Sequence, residues 1–101
     1  MKRHNVMGSD IRIADFCKRH GIRKLSLFGS VLRDDYGPDS DIDVLVEFEP
    51  DRVPGLIRLA GMEMELSEIL GGRVDLTTPG FFHDDLLHYV LASAEVEYVK
   101  G

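Results

Sequence analysis

The most constraining feature of this sequence is the run of residues 41–48, in which two aspartates begin an otherwise apolar strand pattern. Alternate side chains of a β-strand lie on opposite faces, so the run divides into two sets. One set is Ile42, Val44, Val46 and Phe48, and the other is Asp41, Asp43, Leu45 and Glu47. The run therefore predicts a strand that turns an apolar face toward a core and carries two carboxylates at the start of its other face.

The segments around this strand alternate between helical and extended patterns. Helices are predicted over residues 10–20, 56–70 and 82–91, and further strands over residues 22–28, 73–76 and 96–99. A short helical turn is predicted at residues 31–33 and a loop at residues 34–40. This order predicts a mixed α/β (α+β) fold, with a small mixed sheet flanked by helices. We expect a single domain over residues 1–101.

The net charge of −6 arises from one acidic segment. Residues 34–51 contain eight acids and no Lys or Arg, whereas the rest of the chain has twelve basic and ten acidic residues. This distribution argues against a basic surface for binding nucleic acid, but not against a nucleotide held through a bound metal. The single cysteine, Cys17, excludes an intrachain disulfide and a cysteine-based zinc site. No membrane-span or signal-peptide pattern is present, so we expect a cytoplasmic location without membrane contact.

Two interpretations of the paired aspartates fit the sequence. Asp41 and Asp43 are either solvated residues that complete a turn or ligands of a hard cation such as Mg²⁺, which would offset their like charges. Asp75 bears on this choice because it interrupts another short apolar strand. If that strand lies beside residues 41–48, three carboxylates converge, which suffices for two metal ions and a phosphoryl-type displacement. If it does not, Asp75 is an outward-facing residue on a half-exposed strand.

A longer pattern connects these acids to a known family. The dipeptide Gly29-Ser30 follows a predicted strand, and ten residues separate Ser30 from Asp41. Together with the Asp-x-Asp pair and the later Val-Asp-Leu, this resembles the nucleotidyltransferase superfamily that includes polymerase beta and kanamycin nucleotidyltransferase. It is most similar to the minimal nucleotidyltransferase (MNT) family, the antitoxins of HEPN–MNT toxin–antitoxin pairs. The resemblance covers residues 25–91 and implies a minimal polymerase beta-like fold.

The resemblance also implies a role for each residue of the pattern. Asp41 and Asp43 would bind two catalytic Mg²⁺ ions, and Asp75 would be a third metal ligand or the general base. The residues implied to hold the nucleotide are Gly29, Ser30, Arg33 and Ser40. The implied reaction transfers AMP from ATP to a hydroxyl, a tyrosine of the HEPN toxin in toxin-associated members, and releases pyrophosphate. Where the family often has Gly-Ser-Arg-Ala-Arg-Gly, this chain has Gly-Ser-Val-Leu-Arg-Asp.

Three functional hypotheses are open on the sequence. The first is an Mg²⁺-dependent antitoxin enzyme that modifies its HEPN toxin. The second is an antitoxin that neutralises the toxin by stoichiometric binding, since an acidic segment would suit a basic toxin surface. The third is a structural pseudoenzyme or a nucleotide-binding subunit of a larger transferase. A homo-oligomer or a hetero-oligomer with the toxin is compatible with each, because so short a chain buries only a limited core.

Overall fold

Three α-helices and four β-strands are present in the computed structural model, which describes residues 10–32, 37 and 40–100. The helices are α1 (Asp10–His20), α2 (Leu56–Leu70) and α3 (Asp84–Ser93). The strands are β1 (Ile22–Phe28), β2 (Ile42–Phe48), β3 (Val74–Thr77) and β4 (Glu95–Val99). Short 3-10 turns are formed by Gly29–Leu32 and Pro79–Phe81. In this described part of the chain, no helix is both long and apolar enough to cross a membrane.

The four strands form one mixed sheet in the order β3–β2–β1–β4. β1 pairs antiparallel with both β2 and β4, whereas β2 and β3 run parallel. A parallel pair needs a crossover connection, which α2 provides here. The mixed α/β fold with a small helix-flanked sheet, predicted from the sequence, is confirmed.

The main core lies between one face of this sheet and the helices α1 and α2. The apolar set of β2 is buried there as its alternation predicts, with Ile42, Val44 and Val46 fully buried. From α1, Phe16 and Cys17 enter the same core. Burial raises the pKa of the Cys17 thiol to about 12. The thiol therefore stays protonated at neutral pH and packs as a small apolar group.

The third helix differs from the sequence prediction at its start. The apolar spacing predicted that Phe82 belongs to this helix, whereas α3 begins at Asp84. Pro79–Phe81 forms a separate 3-10 turn with proline in its first residues, a position that needs no backbone N–H. Phe82 is then extended, with φ −116° and ψ 147°. The loop predicted at residues 34–40 lies outside the described residues except for residues 37 and 40.

Candidate active site

Asp43 and Asp75 lie side by side on the sheet face opposite the main core. β2 and β3 are parallel neighbours, and their register pairs Asp43 with Asp75. Neighbouring strands lie about 4.8 Å apart, and paired residues project from the same face. Asp43 is half-buried and Asp75 is exposed to solvent. The parallel pairing therefore brings together two carboxylates that are 32 positions apart in the numbering.

Gly29 places the end of β1 against the Asp43 carboxylate. Phe28 is the register partner of Asp43, and the next residue, Gly29, has φ +76°, a conformation that favours glycine. A Cβ atom at this position would lie 3.2 Å from Asp43 Cγ and would collide with Asp43 Oδ2. Glycine is therefore needed twice here, for the backbone conformation and for the space beside the carboxylate.

Asp41 immediately precedes β2 and forms an ion pair with Arg73. Arg73 Nε lies 2.5 Å from Asp41 Oδ1, and the backbone N–H of Ile42 donates to the Arg73 carbonyl at 2.8 Å. Both side chains are well exposed, 72% for Arg73 and 45% for Asp41. Exposed ion pairs contribute little free energy, so a stronger ligand can displace this one. The sequence prediction missed Arg73, although a basic residue two positions before Asp75 was a signal for it.

Of the remaining predicted residues, the structure describes Ser30 and Ser40. Ser30 belongs to the 3-10 turn Gly29–Leu32, directly after the close approach to Asp43. The Ser40 hydroxyl accepts a hydrogen bond from the Gly37 N–H at 3.2 Å, and the Ser40 N–H donates to the Gly37 carbonyl at 3.0 Å. Ser40 is thus hydrogen-bonded to Gly37 directly before Asp41. Arg33 lies outside the described residues.

An aromatic cleft of about 500 Å³ opens beside Gly29. Its walls come from the end of β1, the following 3-10 turn and α3, and consist of Phe28, Gly29, Leu32, Phe82, Leu86, Tyr89, Val90 and Ser93. The rings of Phe28 and Phe82 meet edge to face with centroids 6.0 Å apart. Since Gly29 touches both the cleft and Asp43, the cleft adjoins the acidic site. The sequence prediction assigned these apolar residues to secondary structure and did not identify the cleft.

The three predicted acids match Mg²⁺ in chemical type, because this ion prefers carboxylate oxygens. Within residues 10–32, 37 and 40–100, no group of three or more His, Cys, Asp or Glu side chains is arranged to hold a metal ion. In this arrangement Asp41 is engaged with Arg73. A three-carboxylate site therefore requires Asp41 to exchange Arg73 for the cation.

The fold and the paired acids together define a nucleotidyltransferase. Residues 11–100 match the family model of the nucleotidyltransferase domain, so the chain belongs to this family. Within the family it is a minimal nucleotidyltransferase. A solved structure described provisionally as a minimal nucleotidyltransferase superposes with a TM-score of 0.76 and 33% identity, covering 93% of this chain and 94% of the other.

Two further comparisons concern a relative of known name and a solved structure of the same fold. The chain is 38% identical over 82 residues to the protein adenylyltransferase MntA of Thermococcus cleftensis, covering 81% of this chain and 79% of the relative. It also shares its fold with one chain of a solved structure of tri-AMPylated Shewanella oneidensis HEPN toxin in complex with MNT antitoxin. That match has a TM-score of 0.68 and 18% identity, and it covers 94% of this chain and 73% of the other.

Proposed function

We propose that this chain is an antitoxin that transfers AMP from ATP to a tyrosine hydroxyl of a cognate HEPN toxin, in an Mg²⁺-dependent reaction that neutralises the toxin. The observation that carries the proposal is the register pairing of Asp43 with Asp75, with Gly29 directly against Asp43. Two adjacent carboxylates beside a glycine turn suit a nucleotide whose phosphates approach through a cation. The named activity of the Thermococcus relative supports a protein as the acceptor.

Asp41 and Asp43 would hold the two Mg²⁺ ions, with Asp75 as a third ligand or the general base. When bound, the cation would offset the charge of the triphosphate and align it for displacement. Arg73 would then leave Asp41 and become available to a phosphate oxygen of the nucleotide, because its side chain is largely exposed. The backbone at Gly29 and Ser30, with Arg33 and Ser40, would hold the rest of the triphosphate.

The transfer itself breaks one bond to phosphorus and forms another. The acceptor hydroxyl oxygen attacks the α-phosphorus of ATP, and the bond to the pyrophosphate oxygen breaks. In the general-base version, the hydroxyl proton passes to the exposed carboxylate of Asp75. The products are the AMP ester of the toxin and pyrophosphate.

A second candidate is neutralisation by stoichiometric binding without transfer. The observation that favours it is the set of exposed apolar side chains in the cleft beside Gly29, which includes Leu86 and Tyr89. Exposed apolar patches are typical of protein interfaces. An enzyme that modifies a protein also needs a surface to bind it. AMP transfer and stoichiometric binding therefore predict the same contact with the toxin, and they differ in whether AMP is transferred.

The test is incubation of the chain with ATP, Mg²⁺ and the product of the adjacent gene, followed by intact-mass measurement. We expect one or more AMP additions to that product, and loss of both the adduct and the neutralisation in the double variant Asp41→Asn/Asp43→Asn. Asp51→Asn is a matched control, because Asp51 is an exposed acid of the same acidic segment. A double variant that still neutralises the toxin fully would instead establish stoichiometric binding.

A further inference from the structure

β3 carries Asp75 and lies at one edge of the sheet. Among the strands of the described residues, its neighbour in the sheet is β2, so alternate N–H groups of β3 point away from these strands. Two of these groups nevertheless have partners on α2. The Val74 N–H donates to Ser67 Oγ at 3.0 Å, and the Leu76 N–H donates to Glu63 Oε2 at 2.8 Å.

The two acceptor residues on α2 and the two donor residues on β3 have similar spacings. Glu63 and Ser67 are four positions apart, which places them on one face of α2 about 6 Å apart along its axis. Val74 and Leu76 are two positions apart, about 6.6 Å along the strand. The Ser67 hydroxyl also donates to the Glu63 carbonyl at 2.9 Å, which orients its oxygen as an acceptor. Both side chains are half-buried, so these hydrogen bonds are partly shielded from water.

Asp75 lies between the two tethered residues. The side chains of Val74 and Leu76 are buried in the main core with 4% exposure each, whereas Asp75 projects from the other face. On one edge β3 is held by the ladder to β2, which pairs Asp75 with Asp43. On its other edge it is held by Glu63 and Ser67. The four residues of β3 are therefore held at both edges of the strand, which fixes the position of the Asp75 carboxylate.

We infer that Glu63 and Ser67 are positioning residues for the proposed transfer, acting through the backbone of β3 to hold Asp75 opposite Asp43. Neither residue needs to contact the nucleotide or the acceptor. Catalytic groups must be held within about 0.5 Å of their productive geometry, and the hydrogen bonds from α2 hold β3 on the edge that does not pair with β2. The inference rests on the proposed function and adds to it the residues that align its third carboxylate.

The test compares substitutions at Glu63 that keep or remove the acceptor oxygen. Glu63→Leu removes the acceptor at similar volume, and we expect kcat for AMP transfer to fall by roughly 10- to 100-fold with the KM for ATP little changed. Glu63→Gln keeps a carbonyl oxygen for the Leu76 N–H and should restore kcat to within a few-fold of wild type. Glu68→Leu is the control, since Glu68 is an exposed residue of the same helix. Rates are divided by the folded fraction from circular dichroism.

A second pair of variants covers the case in which Glu63→Leu fails to fold. Ser67→Ala should lower kcat by a smaller factor than Glu63→Leu, and Ser67→Thr, which keeps the hydroxyl, should not. The inference is overturned if Asp43→Asn abolishes transfer while Glu63→Leu and Ser67→Ala keep the wild-type kcat. It is also overturned if Glu63→Gln loses as much as Glu63→Leu. Absence of transfer by the wild-type chain overturns the proposed function itself.

Discussion

The two faces of the sheet differ in character: one packs against α1 and α2 in the main core, whereas the other carries Asp43 and Asp75 beside the buried Leu45. On the face toward α1 and α2, side chains such as Leu27 and Val44 are fully buried. On the other face, Asp43 is half-buried and Asp75 is exposed, and they sit directly next to each other. The first face holds the main core, and the second places the like charges of Asp43 and Asp75 on neighbouring strands. A strand of seven residues can serve both purposes because adjacent side chains point in opposite directions.

The largest expected effect comes from the core face. Leu27→Ala should lower the free energy of unfolding by about 2–5 kcal/mol, because it removes buried methyl groups and leaves a cavity. Urea denaturation followed by circular dichroism measures this change. Leu86→Ala, at a half-exposed residue of α3, is the matched control and should cost much less. An equal loss of unfolding free energy in the two variants would contradict the conclusion that the main core lies on the face toward α1 and α2.

The next prediction concerns Gly29, on the sheet face that carries Asp43 and Asp75 (the acidic face). It separates the effect of the backbone conformation from the effect of the space beside the Asp43 carboxylate. Gly29 and Gly71 have φ of +76° and +75°, so Gly29→Ala and Gly71→Ala should each cost about 1–2 kcal/mol of stability. A Cβ at residue 71 meets no atom of the described residues within 4 Å, whereas one at residue 29 collides with the Asp43 carboxylate. AMP transfer per folded molecule should therefore fall sharply in Gly29→Ala and stay near wild type in Gly71→Ala. Equal AMP transfer by Gly29→Ala and Gly71→Ala would contradict a functional role for the close approach of Gly29 to the Asp43 carboxylate.

The third prediction is a pH-dependent loss of stability that comes from Cys17 in the main core. The thiol pKa of Cys17 is about 12 in the folded chain, raised from its ordinary value of 9.0 by burial. Above about pH 9 the unfolded chain loses this proton while the folded chain keeps it. The free energy of unfolding should therefore fall with rising pH between about 9 and 12, by up to about 1.4 kcal/mol per pH unit. Below pH 9 this contribution is constant.

Cys17→Ala isolates this contribution from the titration of other groups. The difference in unfolding free energy between wild type and Cys17→Ala is measured by urea denaturation at pH 8 and pH 10. We expect the wild type to lose more stability than the variant over this interval. Parallel changes in the two proteins would show that the thiol is solvated.

The smallest expected effect is a gain in stability from a substitution at Asp75, on the acidic face. Asp75→Asn removes one of two like charges on paired residues, so it should raise the free energy of unfolding by about 0.2–1 kcal/mol without added Mg²⁺ and nucleotide. The same variant should lose AMP transfer. Thermal unfolding in low-salt buffer checks the sign, and high salt should reduce the difference. A destabilised variant would mean that the charge pair is compensated within the fold.

Much of the candidate site could be read from the sequence because its acids interrupt apolar patterns. Asp43 and Asp75 stand out in strands that are otherwise apolar, and the spacing from Ser30 to Asp41 supplied the family resemblance. Arg73 was missed because a single basic residue before a strand is common. Glu63 was missed because an acid on an amphipathic helix is most often a solvated surface residue. Its role depends on a strand eleven or more residues away.

By itself the sequence determined the elements, the buried face of β2 and the identity of the three candidate acids, because these depend on local periodicity and side-chain chemistry. Only the tertiary structure decided which of these residues meet. The parallel pairing sets Asp43 beside Asp75, the end of β1 brings Gly29 against Asp43, and α2 supplies the hydrogen bonds at the outer edge of β3. Strand order and register are set by the packing of distant segments, and no local pattern encodes them.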